Sequence, residues 1–316
     1  MILLQEAVAE LEPIALDLGT AGRWLQYAAT LTLVGAAAFG VGLRRAAAPV
    51  LIAHRDALAR GAARLGLVAA ALLLPAVLLK LAGQAHAVAE PDPVTRTIVT
   101  AILESAWGRG LIVQGLAAIL ALGGFLLAAR GVAAGWAIAL LDALLVAGSA
   151  PLTGHALSGR FAPPAAIALH VLHELGGGLW LGQLLVLTVA GLGTAWGLEA
   201  SVRRALVAAL VGRASNVFLF GAGAAALTGG VLAYAYVGSL GALTATSYGR
   251  ALLVKVGVLG TVALLGAWNW RVVTPRLDED AGAPLLLRSA QIELALGALL
   301  LLATAVVVNL GAPGLE

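Results

Sequence analysis

Residues 110–129 read GLIVQGLAAILALGGFLLAA, twenty positions without one Asp, Glu, Lys or Arg. An α-helix rises about 1.5 Å per residue, so such a run covers the roughly 30 Å hydrocarbon core of a bilayer. Arg130 and Gly131 interrupt it, and a second apolar run follows at once from Val132 to Thr153, broken only by Asp142. Two bilayer-length runs joined by so short a link read as a pair of antiparallel membrane helices. Working outward by the same criterion gives further runs near residues 23–43, 65–87, 165–190, 214–237, 249–270 and 288–310. With no water in the bilayer core, each run satisfies its backbone polar groups internally and so forms a helix. The expected fold is an all-α polytopic bundle of eight transmembrane helices.

Composition agrees. Of 316 residues, 61% are hydrophobic and 11% charged, with mean hydropathy +0.99, against about 25% charged in soluble domains. A water-soluble globule is excluded, and eight spans with short loops leave no room for a soluble catalytic domain. Cysteine is absent and the one methionine is Met1, which excludes disulfides, thiolate metal sites and a thioether relay for Cu(I) within this chain. The sequence pI of about 9.7 reflects membrane topology rather than nucleic-acid binding. Forty glycines scattered through the apolar runs suit close helix packing in lipid. The opening MILLQEAVAELEPIALDLG carries Glu6, Glu10, Glu12 and Asp17 and no basic n-region, so residues 1–20 are expected as an external segment on the membrane surface rather than a cleaved signal.

Arginine placement sets the orientation. With the loop after the first span cytoplasmic, the inner segments hold Arg44, Arg45, Arg55, Arg60, Arg64, Arg130, Arg203, Arg204, Arg213, Arg271, Arg276 and Arg288. The outer ones hold Arg23, Arg96, Arg109, Arg160 and Arg250. Positive-inside bias then puts both termini outside, which is the periplasm if the source is Gram-negative. Lys80 and Lys255 lie within spans and are expected to snorkel to the nearer interface.

An internal echo supports a two-part build. Trp107-Gly108-Arg109 opens the third span and Tyr248-Gly249-Arg250 the seventh, an offset of four spans. An even offset preserves direction, so the expectation is two parallel four-helix repeats, residues 21–153 and 154–316, within one membrane domain.

Four of the five histidines fall at outer span ends: His86 on the second, His155 after the fourth, His170 and His173 on the fifth. His54 lies in the inner Arg-rich loop. His170 and His173 are three apart and share a helix face, a spacing that can chelate one metal. Glu174 could complete the ligand set or orient an imidazole. Asp142, near the middle of its span, reads either as a proton or cation relay or as a neutral acid bonded to a neighbouring helix, with Lys255 a second relay candidate. Gly176-Gly177-Gly178 leaves a nearly bare helix face that admits a neighbouring helix, a flat cofactor or an ion path, close packing being the leading reading.

Gly154-His155-Ala156, then His173 followed seven residues later by Trp180-Leu181-Gly182, then Tyr248-Gly249-Arg250 with Lys255, resemble the CopD/PcoD copper-resistance membrane proteins and the related membrane portion of YcnJ. The likeness extends over most of the chain and is strongest from 150 to 270. It implies eight helices, a bacterial cytoplasmic membrane and a role in copper homeostasis, commonly beside a small periplasmic copper carrier of the CopC type. His155 and His173 match motif histidines; His86 and His170 are added from their placement. The chain departs from a simple Cu(I) channel in having no methionine beyond Met1 and no fused carrier domain. Histidine ligation at an oxidising face suits Cu(II). It suits equally a haem b held by histidines from two helices, in a redox protein exchanging electrons with quinol or a periplasmic metalloprotein. A subunit of a larger membrane complex without a cofactor of its own is the third reading.

Overall fold

The computed structural model describes residues 17–154, 161–279, 281–310 and 312. Among these, eight helices are long and apolar enough to cross a membrane. They are α1 (Leu18–Arg44), α2 (Arg55–Ala89), α3 (Ala106–Ala129), α4 (Ala133–Thr153), α5 (Pro163–Trp196), α6 (Ala200–Val237), α7 (Ser247–Arg276) and α8 (Gly282–Asn309).

Local chemistry sets the starts. The Asp17 carboxylate accepts from the Thr20 amide at 2.6 Å and caps α1, satisfying one of the orphan donors of a first turn. Ser105 and Thr246 do the same for α3 and α7, each accepting from the amide of the glycine three residues on, Gly108 at 3.1 Å and Gly249 at 3.0 Å. Pro163 and Pro164 open α5, where a missing N–H costs nothing. α2 and α6 begin at Arg55 and Ala200, well before their apolar runs at 65 and 214. Hydropathy reports where a helix leaves lipid, whereas backbone bonding continues into the Arg-bearing turns beyond.

α1 is the centre of the bundle, packing on α2, α4, α5 and α8. Fourteen of its residues are buried, mostly Ala, Thr, Gly, Leu and Val. α3 lies between α2 and α4, α6 covers the far side of α5, and α7 packs on α8. The outer faces of α6 and α7 expose Leu219, Phe220, Leu227, Leu264 and Trp270, apolar bulk suited to hydrocarbon.

Small residues let α5 sit tight between two neighbours. A Cβ on Gly182 would stand 1.8 Å from the Leu31 carbonyl oxygen of α1, and one on Gly35 would stand 2.2 Å from the Gly182 carbonyl carbon. On the other side a Cβ on Gly176 would stand 2.7 Å from the Ala225 nitrogen of α6, and one on Gly221 2.7 Å from the Gly176 oxygen. Gly178 faces Val34 of α1. Gly176 and Gly178 of the bare stretch of α5 are thus packed against helices, while Gly177 lines a cavity.

The contact at Gly182 is with backbone, which cannot swing aside. Gly182→Val should destabilise the bundle by about 3 kcal/mol through overpacking, seen as a lower melting temperature in mild detergent, whereas Gly223→Val, where a Cβ meets open space, should melt as the parent does.

Candidate functional site

A cavity of about 200 Å³ lies among α1, α5, α6, α7 and α8 and the end of α4, toward the end of the bundle that holds the starts of α1 and α5. Its walls are mostly apolar, and its polar groups come from few positions. α5 supplies His170, His173 and Glu174, one helical turn that aims three functional groups into the same space. Arg23, Gln26 and Tyr27 come from α1, Tyr236 from α6, and Tyr248 and Lys255 from α7.

The two imidazoles are held differently. His173 Nδ1 lies 2.8 Å from the Ala225 carbonyl oxygen. A carbonyl only accepts, so Nδ1 donates and Nε2 keeps its lone pair. Thr228 Oγ1 lies 3.3 Å from the same Nδ1. The short approach of α6 at this level requires glycine: a Cβ at position 229 would stand 2.9 Å from His173 Cε1. His170 Nε2 lies 3.0 Å from the Tyr236 hydroxyl, with the rings tilted against each other. Glu174 has one carboxyl oxygen, Oε2, buried without a hydrogen-bond partner.

Behind the cavity wall sits a group that sequence reasoning sent elsewhere. Lys80 does not snorkel: it is 2% exposed, and its Nζ donates to Gln26 Oε1 at 2.5 Å, Thr153 Oγ1 at 2.8 Å and Gln114 Oε1 at 3.2 Å. Three oxygens meet the three N–H donors an ammonium carries, so the amine stays where it is satisfied rather than reaching for the interface. Intramembrane Lys80 with Gln26 and Gln114 at comparable depth was the available signal.

Thr153 gathers still more bonds. Its carbonyl accepts from Trp107 Nε1 at 3.0 Å and from an Arg23 guanidinium nitrogen at 3.2 Å, while Arg23 Nε donates to Asn309 Oδ1 at 2.7 Å on α8. The residue after it, Gly154, lines the cavity. His155 lies outside the described residues.

The remaining sequence candidates separate. His86 is exposed near the end of α2 and does not line the cavity. Asp142 is 0% exposed on α4, away from the cavity, and among the described residues neither carboxyl oxygen has a hydrogen-bond partner. Trp180 lines the cavity floor, and Gly182 makes the α1 crossing. The Tyr248-Gly249-Arg250 motif shapes the start of α7: Tyr248 lines the cavity, Gly249 packs under the Ala242 carbonyl, and Arg250 donates to the Thr244 carbonyl at 3.3 Å. Among the described residues no three His, Cys, Asp or Glu side chains converge as a metal-binding group. Since His170 and His173 rise from one helix, ligands from two helices would need His155.

Comparison with known families decides the relationship. The family described as copper resistance protein D-like, N-terminal domain, matches residues 15–160, and the family described as copper resistance protein D matches residues 208–307. The chain belongs to the CopD copper resistance protein D family. No curated protein and no solved structure matches it. In this CopD-family membrane protein the first match contains Lys80, Asp142 and His155 and the second contains Lys255, whereas α5, with His170 and His173, falls entirely between them.

Lys80→Met should leave three buried oxygens without their donor, at about 1–3 kcal/mol each. A drop in melting temperature larger than that of Lys255→Met is the expected result, because among the described residues no hydrogen bond of the Lys255 amine joins helices in this way.

Proposed function

We propose that this CopD-family protein takes up copper from the outer face of the membrane into the cavity bounded by α5, and passes it inward or to a partner. The observation that carries the reading is His173: its Nδ1–H is spent on the Ala225 carbonyl, so Nε2 is the free, oriented donor at a cavity wall. A ligating histidine is typically held this way, through its second nitrogen. His170 and His155 complete an imidazole set, and Glu174 supplies negative charge with a buried, unpartnered oxygen. Imidazole with carboxylate suits Cu(II) better than Cu(I), in keeping with an oxidising periplasmic side. A CopC-type carrier is the natural donor partner, and Lys255, facing the same space, is the group whose positive charge would oppose a bound cation. The arginine distribution supports external termini, and membership of the CopD family supports a bacterial inner membrane.

The two-part build belongs to the same proposal. It is supported by the matching caps of α3 and α7, where Gly108 and Gly249 each pack under the carbonyl of a residue in a short preceding helix, with a Cβ separation of 2.1 Å in both. It is supported also by the crossing of α1 and α5, at Gly35 nine residues after Gln26 and at Gly182 nine residues after His173.

Elemental analysis of detergent-purified protein after copper loading and desalting tests the reading. One copper per chain is expected in the parent and in His86→Ala, and far less in His173→Ala and His155→Ala; parent-like copper in both of the last two would overturn the assignment. Gly229→Ala should push the His173 ring off the Ala225 carbonyl and weaken copper binding about tenfold, or about 1.4 kcal/mol, in a competition titration with a chromogenic chelator.

A further inference from the structure

The cavity ends on an apolar floor. Leu31 of α1, Leu181 of α5 and Leu300 of α8 form a buried cluster with Trp180, Leu259 and Leu301 packed against it, and all six line the cavity. Just beyond the floor, Gly297 of α8 lies against Leu181, a Cβ there standing 3.1 Å from Leu181 Cδ2. One helical turn further from the cavity is Glu293, 6% exposed.

Glu293 accepts a hydrogen bond from Asn269 Nδ2 of α7, and Asn269 Oδ1 is buried without a partner. Both floor and pair coincide with local widening of their helices: Leu181 lies in a π-turn over Gly178–Gly182, and Asn269 opens another over Asn269–Val273. Such turns are rare and concentrate at functional sites. Glu293 lies five residues beyond the exposed Arg288 on α8, about 7.5 Å further along the axis, inside the apolar run and withdrawn from solvent within the protein.

Its surroundings hold no counter-charge. Among the described residues Asn269 is the one polar partner of Glu293. α1 carries no ionisable residue between Tyr27 and Arg44, α5 none between Glu174 and its end at Trp196, and α7 none between Lys255 and Arg271. On α8 the nearest is Arg288, and both Arg288 and Arg271 are exposed. Along the four helices that enclose the way from the cavity to the opposite end, Glu293 is thus the sole ionisable side chain between the outer groups and the terminal arginines. A buried carboxyl is expensive in a span and marks ion or proton pathways. Two hard oxygen donors with no nitrogen or sulfur are poor copper ligands beside the imidazoles above.

We infer that Glu293, positioned by Asn269, is a proton-binding site on the far side of the leucine floor, loaded from the end opposite the copper cavity. In the flux experiment this rests on the copper reading; in the spectroscopic one it does not. Infrared titration of the purified protein in lipid should show a protonated-carboxyl carbonyl band that bleaches as the pH is raised, that is missing in Glu293→Gln, and that shifts in frequency in Asn269→Leu as the amide bond is lost. Identical carboxyl spectra in parent and Glu293→Gln would overturn the inference whether or not the protein moves copper.

In proteoliposomes containing a pH-sensitive dye, external Cu(II) should drive copper uptake with a dye change in step. Glu293→Gln should lower both at least tenfold, and Glu293→Asp should recover part of the loss, with copper binding at the outer side equal in all three. Copper uptake by the parent without proton movement would overturn the inference and leave the proposed function standing. Absence of copper binding by the parent would overturn the proposed function and leave the infrared result to decide this site.

Discussion

One buried amine holds the first half of the molecule together. Lys80 of α2 reaches Gln26 on α1, Gln114 on α3 and Thr153 on α4, so a single group binds all four helices through bonds that cannot be traded for water. Between lipid-facing helices, apolar burial gives little preference for one partner over another, because hydrocarbon is as good a neighbour as leucine. Hydrogen bonds to a desolvated amine do discriminate. Each requires its acceptor at one depth and one rotation, and together they set the register of α1 through α4.

That register reaches the site through Thr153. Its hydroxyl is taken by Lys80 and its carbonyl by Trp107 and Arg23, so the end of α4 is pinned where Gly154 meets the cavity. Arg23 extends the same network to Asn309 on α8, and Trp24 bonds the Ala298 carbonyl from α1. The cavity is therefore framed by polar ties at one end and closed by leucines at the other. The second requirement is glycine. Gly35 with Gly182, and Gly176 with Gly221, bring α1, α5 and α6 to backbone distance. Only at that distance does the Ala225 carbonyl meet His173, so the glycines that pack the helices also orient the imidazole.

Much of this was legible beforehand. Eight apolar runs announced eight helices, since their length and lack of charge leave no other solution in a bilayer. His170, His173 and Glu174 share a face by helical periodicity alone, and the cavity receives all three. The glycine run of α5 was readable as a packing face and is one. Depth, however, does not specify rotation or lateral position. His86 ends its span at the same outer side as the α5 histidines, yet α2 lies away from α6 and α7 and the side chain points outward. Lys80 is long enough to snorkel, and only the presence of acceptors from three other helices made the interior the better place. The pairing of Asn269 with Glu293 was hidden for the same reason, being a contact between two helices whose facing sides the sequence does not declare.

The amino-acid sequence by itself determined the solvent of this protein, its eight long apolar helices, and which residues share a helical turn, because hydrocarbon thickness and the 3.6-residue period are properties of single segments. Tertiary structure alone decided which of the ionisable residues have partners: Lys80 three, His173 the α6 backbone, Glu293 one amide, and Asp142 none. Those outcomes depend on how neighbouring helices rotate and how closely they approach. Such relations are settled by glycine contacts and buried hydrogen bonds between segments far apart in the chain.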